Sequence, residues 1–142
     1  MSLSIPFGVK IPFVDHLGFS LEKFEGGESE MLFVPRPEHL NSFDVTHGGA
    51  VMTFLDVIMA TAARSVDPAL GVVTIEMKTT FMRPASVPAG QALVGKGRLQ
   101  HRTRKMAFTE GSVFDAQGQL CAHATGTFKY VSHRGPASLS TD

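Results

Sequence analysis

Gly48-Gly49-Ala50-Val51-Met52-Thr53-Phe54-Leu55-Asp56-Val57-Ile58-Met59-Ala60-Thr61-Ala62-Ala63-Arg64 is the stretch that decides how this chain folds. It lacks proline, carries its only glycines at the front, and is long enough for a helix of several turns. Its apolar side chains fall on every helical face, which predicts a buried helix rather than a surface one. Pro68 is the stop signal, so the helix is expected to end near Arg64 to Ser65. Asp56 is its only acidic residue. A carboxylate among apolar neighbours is costly unless it is hydrogen-bonded, paired or protonated. Acid–base and nucleophilic chemistry uses carboxylates of that kind. The alternative is a structural Asp satisfied by a local donor.

Strands flank the helix. Leu17, Phe19 and Leu21 alternate with polar or small residues, and Gly26-Gly27 reads as a hairpin turn into residues 28–34. Pro35, Pro37 and Asn41 mark a loop. After the helix, Val73, Ile75, Met77, Thr79 and Phe81 are expected on one strand face, with Thr74, Glu76, Lys78 and Thr80 on the other. Residues 91–100 make a further strand, where Gly95 and Gly97 permit a bend or a close approach. Residues 106–114 and 120–131 form a last hairpin around Ala116-Gln117-Gly118. In its second strand Leu120, Ala122, Ala124, Gly126, Phe128 and Tyr130 face one way; Gln119, Cys121, His123, Thr125, Thr127 and Lys129 face the other. One helix among antiparallel strands gives an α+β class. A helix apolar all round must be wrapped on several sides: one curved sheet can cover most of it, and a partner subunit can cover the rest.

Bulk properties narrow the function. The 142 residues are expected to form one domain, with a core from about residue 15 to 131 and a flexible tail from 132 to 142. Apolar content of 43% and charged content of 18% mark a globular chain. Thirteen basic residues balance thirteen acidic ones, which argues against nucleic-acid binding. Cys121 is the sole cysteine, residues 1–13 do not read as a signal peptide, and no apolar run spans a bilayer. The expectation is a cytoplasmic protein that does not bind membranes.

With the spacing in view, the run Asn41-Ser42-Phe43-Asp44-Val45-Thr46-His47-Gly48-Gly49, followed by Asp56, resembles the hotdog-fold acyl-CoA thioesterases of the phenylacetate-pathway and hydroxybenzoyl-CoA type. The likeness continues through Val73-Thr74-Ile75-Glu76-Met77, Phe81-Met82-Arg83-Pro84-Ala85 and Thr125-Gly126-Thr127-Phe128. It implies a curved antiparallel sheet wrapped around one long central helix, and hydrolysis of an acyl-CoA thioester without a cofactor. It implies Asp56 as nucleophile or general base, and Gly48 as the N–H that polarises the thioester carbonyl. Asn41 and His47 would position the carbonyl and the helix start, and Thr74 would orient the attacking water. Asp44 stands where many relatives have glycine, so the loop before the helix is expected to differ. Ala60 stands where a hydroxyl residue can occur, which favours Thr74 for the water.

Physical logic supports these roles independently. A helix N-terminus presents unpaired N–H groups and positive dipole charge, and Gly48 and Gly49 let a substrate approach the backbone. That is an oxyanion hole. Gly48 and Asp56 lie roughly 12 Å apart along the axis at 1.5 Å per residue, too far to share one carbonyl within a chain. The spacing thus argues for a homo-oligomer, a dimer or a dimer of dimers, and the resemblance implies how it works: one subunit supplies the helix start and the other the carboxylate. His101-Arg102-Thr103-Arg104-Lys105 is a basic cluster whose Arg102, Arg104 and Lys105 suit coenzyme A phosphates, or form a solvated loop. The six histidines show no metal-ligand spacing, so no metal is expected, and no G-x-S-x-G elbow is present. The alternative function is a non-catalytic acyl-CoA-binding module on the same fold. It has no need of a carboxylate beside the thioester.

Overall fold

The computed structural model describes residues 4–132; the tail expected to be flexible lies, beyond Ser132, outside them. The elements run α1 (Pro12–Leu17), β1 (Ser20–Glu25), β2 (Glu28–Phe33), α2 (Gly48–Arg64), β3 (Leu70–Phe81), β4 (Leu93–Arg102), β5 (Met106–Phe114) and β6 (Leu120–Ser132), with a 3₁₀ turn at Pro37–His39. The six strands form one antiparallel sheet in the order β1-β2-β4-β5-β6-β3. The sheet curves around α2, which packs on every strand. This is the α+β hotdog arrangement that the resemblance implied.

Glycine sets the turn and the packing distance. Gly26 and Gly27 have φ of 61° and 84°, the left-handed pair that a two-residue hairpin turn demands. At Gly97 a Cβ would stand 2.6 Å from the Ile58 carbonyl oxygen and 2.7 Å from Ser29 Oγ; at Gly95 it would overlap Ile58 Cδ1. The helix therefore approaches β4 as closely as backbone allows. Phe33, Phe54, Phe128, Leu55, Ile58, Met59 and Leu93 fill the core between helix and sheet. The inward face of β6 is the one expected, with Ala122, Ala124, Phe128 and Tyr130 buried.

Three expectations are corrected. Leu17 ends a short helix rather than opening a strand: Pro12 stands in its first turn, Gly18 caps it at φ 80°, and Val14 and Leu17 bury one face. Cys121, placed by alternation on the polar face of its strand, is buried, and the Met82 and Arg83 N–H groups both donate to its backbone carbonyl. The third concerns β3. Its register slips between Thr74, opposite Phe128, and Glu76, opposite Thr127. Ile75 is the extra residue of a β-bulge and is 52% exposed. Val72 and Thr74 thus share the helix-facing side with Met77, Thr79 and Phe81, and strict alternation through Ile75 fails.

Candidate active site

The N-terminus of α2 is built by its preceding loop. Asn41 Oδ1 accepts from the N–H groups of Phe43 (2.9 Å) and Val45 (3.2 Å), and the Asn41 N–H donates to the Val45 carbonyl at 2.8 Å. Asp44 takes φ 59° inside that turn, so an Asp adopts here the left-handed conformation that glycine favours. The His47 N–H donates to the His39 carbonyl at 2.7 Å and starts the helix. His47 is also its N-cap: its Nδ1 accepts from the Gly49 N–H at 2.8 Å. The Ala50 and Val51 N–H groups donate to the His47 carbonyl. Among the described residues the Gly48 N–H alone in this first turn has no partner. It lies in a cleft of about 480 Å³ lined by Asn41, Phe43, Thr46, Val51, Phe81 and Arg83 among others. Asn41 and His47 thus make their hydrogen bonds around the start of α2, with the Asn41 amide oxygen committed to the loop.

Asp56 lies elsewhere. It is half-buried, not fully enclosed, because α2 leaves one stripe uncovered by its own sheet, on which Met52 is 38% exposed. The Thr74 hydroxyl donates to Asp56 Oδ1 at 2.7 Å. Burial raises the Asp56 pKa above the ordinary carboxylate range, and the bond from Thr74 opposes that rise. The bulge at Ile75 brings Thr74 to this position. Asp56 and Thr74 line a second cleft, of about 370 Å³, with Val9, Ile11, Val57, Ala60, Arg64 and Val72 among its walls. The N-terminal segment around Val9 and Ile11 and the role of Arg64 carried no signal in the sequence; the wall exists only because residues before α1 fold back over α2.

The structure brings Asp56 to Thr74, and Asn41 and His47 to Gly48 and Gly49, but lines two separate clefts with these groups. The basic cluster sits at the turn between β4 and β5. The Arg102 guanidinium stacks over the Tyr130 ring at 4.5 Å, and the Tyr130 hydroxyl donates to the Ala63 carbonyl, near the C-terminal end of α2. Arg104 and Lys105 are exposed there, at the opposite end of α2 from Gly48. No helix among the described residues is long and apolar enough to cross a membrane.

Comparison with known proteins fixes the class. The model of the thioesterase superfamily matches residues 43–122, more than half of the chain, and the chain belongs to that superfamily. Its activity class is thioester hydrolysis. It is 29% identical to a provisionally named esterase of Saccharolobus solfataricus, over 79% of this chain and 73% of the relative. Among solved structures it is similar to a conserved protein of Pseudomonas aeruginosa (TM-score 0.79, 24% identity, 87% of this chain and 96% of that one). It is also similar to the PaaI protein of the E. coli phenylacetic acid degradation operon (TM-score 0.77, 20% identity, 84% of each chain).

Removing the Thr74 hydroxyl tests its electrostatic role. Thr74→Val deletes a bond that favours ionised Asp56, so the pKa should rise further. The acid limb of the pH profile of kcat/KM should then move to higher pH, and kcat should fall about tenfold, in line with a hydrogen bond to a charged group. An unchanged acid limb would separate Thr74 from the titration of Asp56.

Proposed function

We propose that the protein hydrolyses a small or medium acyl-coenzyme A, aromatic or aliphatic, to the free acid and coenzyme A, at a site completed between two copies of the chain. The observation that carries this is the pairing of a half-buried carboxylate, held by Thr74 at 2.7 Å, with an unpartnered Gly48 N–H lying in another cleft. In each site one subunit's Gly48 N–H takes the developing negative charge of the thioester oxygen. Asp56 of the other subunit supplies the base or nucleophile. As base it draws a proton from water while the water oxygen bonds to the acyl carbon. As nucleophile it bonds to that carbon itself, and water later cleaves the anhydride. In both routes the C–S bond breaks and its electron pair leaves with the coenzyme A sulfur. The Thr74 proton is already donated to Asp56, so its oxygen is left to accept a hydrogen bond from the water.

Two features support assembly. β3 is an edge strand of twelve residues, a ready template for pairing. Ile75, Phe81, Met82 and Phe43 stand exposed along it and beside the Gly48 cleft. The single cysteine is compatible with a cytoplasmic setting. Turnover of a panel of acyl-coenzyme A thioesters, read by released thiol, tests the activity. Absence of release from every member would contradict it.

For the coenzyme, we assign the exposed Arg104 and Lys105, with Arg102 beside them, to its phosphates. Arg104→Ala should raise KM for acyl-coenzyme A with kcat largely unchanged, the mark of lost uniform binding. A truncated thioester without nucleotide phosphates should show no such change. Equal weakening of both substrates would make the cluster structural.

A further inference from the structure

Arg64 is a buried charge that is poorly satisfied among the described residues. It is 6% exposed, on the last turn of α2. Its two terminal nitrogens reach a single acceptor, the Phe7 carbonyl, at 3.4 Å each, a distance at which hydrogen bonds are weak. Its Nε is buried with no partner among the described residues. The guanidinium lies 5.5 Å from the Phe24 ring centroid, and among the described residues no carboxylate pairs with it. Burial alone shifts its pKa, downward. A buried cation without a counter-charge is expensive, so an anion that reached it would be held.

Arg64 lines the same cleft as Asp56. The two residues stand eight positions apart on α2, about 12 Å along its axis. Between them the walls are mostly apolar, with Val9, Ile11, Val57, Ala60 and Val72; the exposed Lys10 also lines the cleft but is paired with Asp15 at 2.8 Å. An acyl group whose thioester carbon rests at Asp56 runs along those walls towards Arg64. We propose that Arg64 is a specificity-determining residue that receives an anionic or strongly hydrogen-bond-accepting group at the far end of the acyl chain, a terminal carboxylate above all. The preferred substrate is then an ω-carboxyacyl thioester rather than a plain fatty acyl one. This rests on the assignment of Asp56 to the thioester. A site built to meet an acceptor discriminates against the analogue lacking it more sharply than an apolar pocket separates chain lengths.

The test compares matched pairs: adipoyl- against hexanoyl-coenzyme A, and suberoyl- against octanoyl-coenzyme A. The wild-type protein should favour the carboxylated member of at least one pair by about tenfold or more in kcat/KM, the range for a charge-assisted hydrogen bond. Arg64→Met should abolish that preference. Arg64→Lys should keep part of the preference. Hydrolysis of plain acyl thioesters with no preference in the wild-type protein would overturn the inference and leave Asp56 standing; that arm needs no variant to fold. A preference that survives in Arg64→Met would also overturn it. If neither series is hydrolysed, the inference is overturned, and turnover of the wider panel, aromatic thioesters included, decides the assignment of Asp56 separately.

Discussion

Asp56→Asn should lower kcat by about 10²–10⁴, the range for a positioned acid–base group, while circular dichroism stays that of the wild type. The amide keeps the shape of the side chain and can still accept from Thr74, but it can neither attack a carbonyl nor take a proton from water. Stability should move the other way. The folded carboxylate has a raised pKa, so folding at neutral pH holds an ion that burial disfavours. A raised folded pKa means the protein is relatively more stable below the ordinary Asp range and loses that advantage as pH climbs through the folded value. Asp56→Asn removes this loss. Its melting temperature should exceed the wild type's at neutral pH, and the gap should close in acid. Near-wild-type turnover in a correctly folded Asp56→Asn protein would refute the assignment; collapse of the fold would make Asp56 structural.

Gly97→Ala carries the second large effect, on stability. The added methyl would sit 2.6 Å from the Ile58 carbonyl oxygen, a backbone atom, and 2.7 Å from Ser29 Oγ. The Ser29 hydroxyl donates to that same carbonyl at 2.7 Å, so relief of the clash disturbs a buried hydrogen bond as well. Overpacking of this kind costs about 3 kcal/mol. Denaturant titration at fixed protein concentration should show that loss, concentration being held because assembly contributes to apparent stability. A loss under about 1 kcal/mol would mean that α2 lifts from β4 more freely than the contact distances imply.

Gly97 was legible before any coordinates, as a strand glycine permitting close approach. So were the turn at Gly26-Gly27, the inward face of β6 and the extent of α2, because each follows from a local rule of periodicity or turn chemistry. Thr74 was legible only through family resemblance. By alternation it belongs opposite Met77, and nothing in Val73-Thr74-Ile75-Glu76-Met77 signals that Ile75 bulges out. A bulge depends on the partner strand and leaves no local mark. The short helix ending at Leu17 hid behind a Leu17-Phe19-Leu21 alternation that suits a strand equally well. Asp56 is half-buried within its own chain: a helical projection counts apolar residues but not the cover that one chain provides. Arg64 and its cleft depend on the N-terminal segment folding over α2, a long-range contact that sequence patterns do not record.

The central claim is that one active site draws Gly48 from one copy and Asp56 from another. Complementation between two dead variants tests it. Gly48→Pro removes the free N–H at the first helical position, where proline is tolerated, and His47 already has the extended ψ of 137° that a residue before proline adopts. Asp56→Asn removes the carboxylate. Each variant alone should be nearly inactive. If the two are mixed, unfolded and refolded together, half the dimers are mixed, and one of their two sites is intact, so about one quarter of wild-type activity should return. No recovery, with mixed dimers demonstrated by mass, would place both groups in one chain and contradict the account.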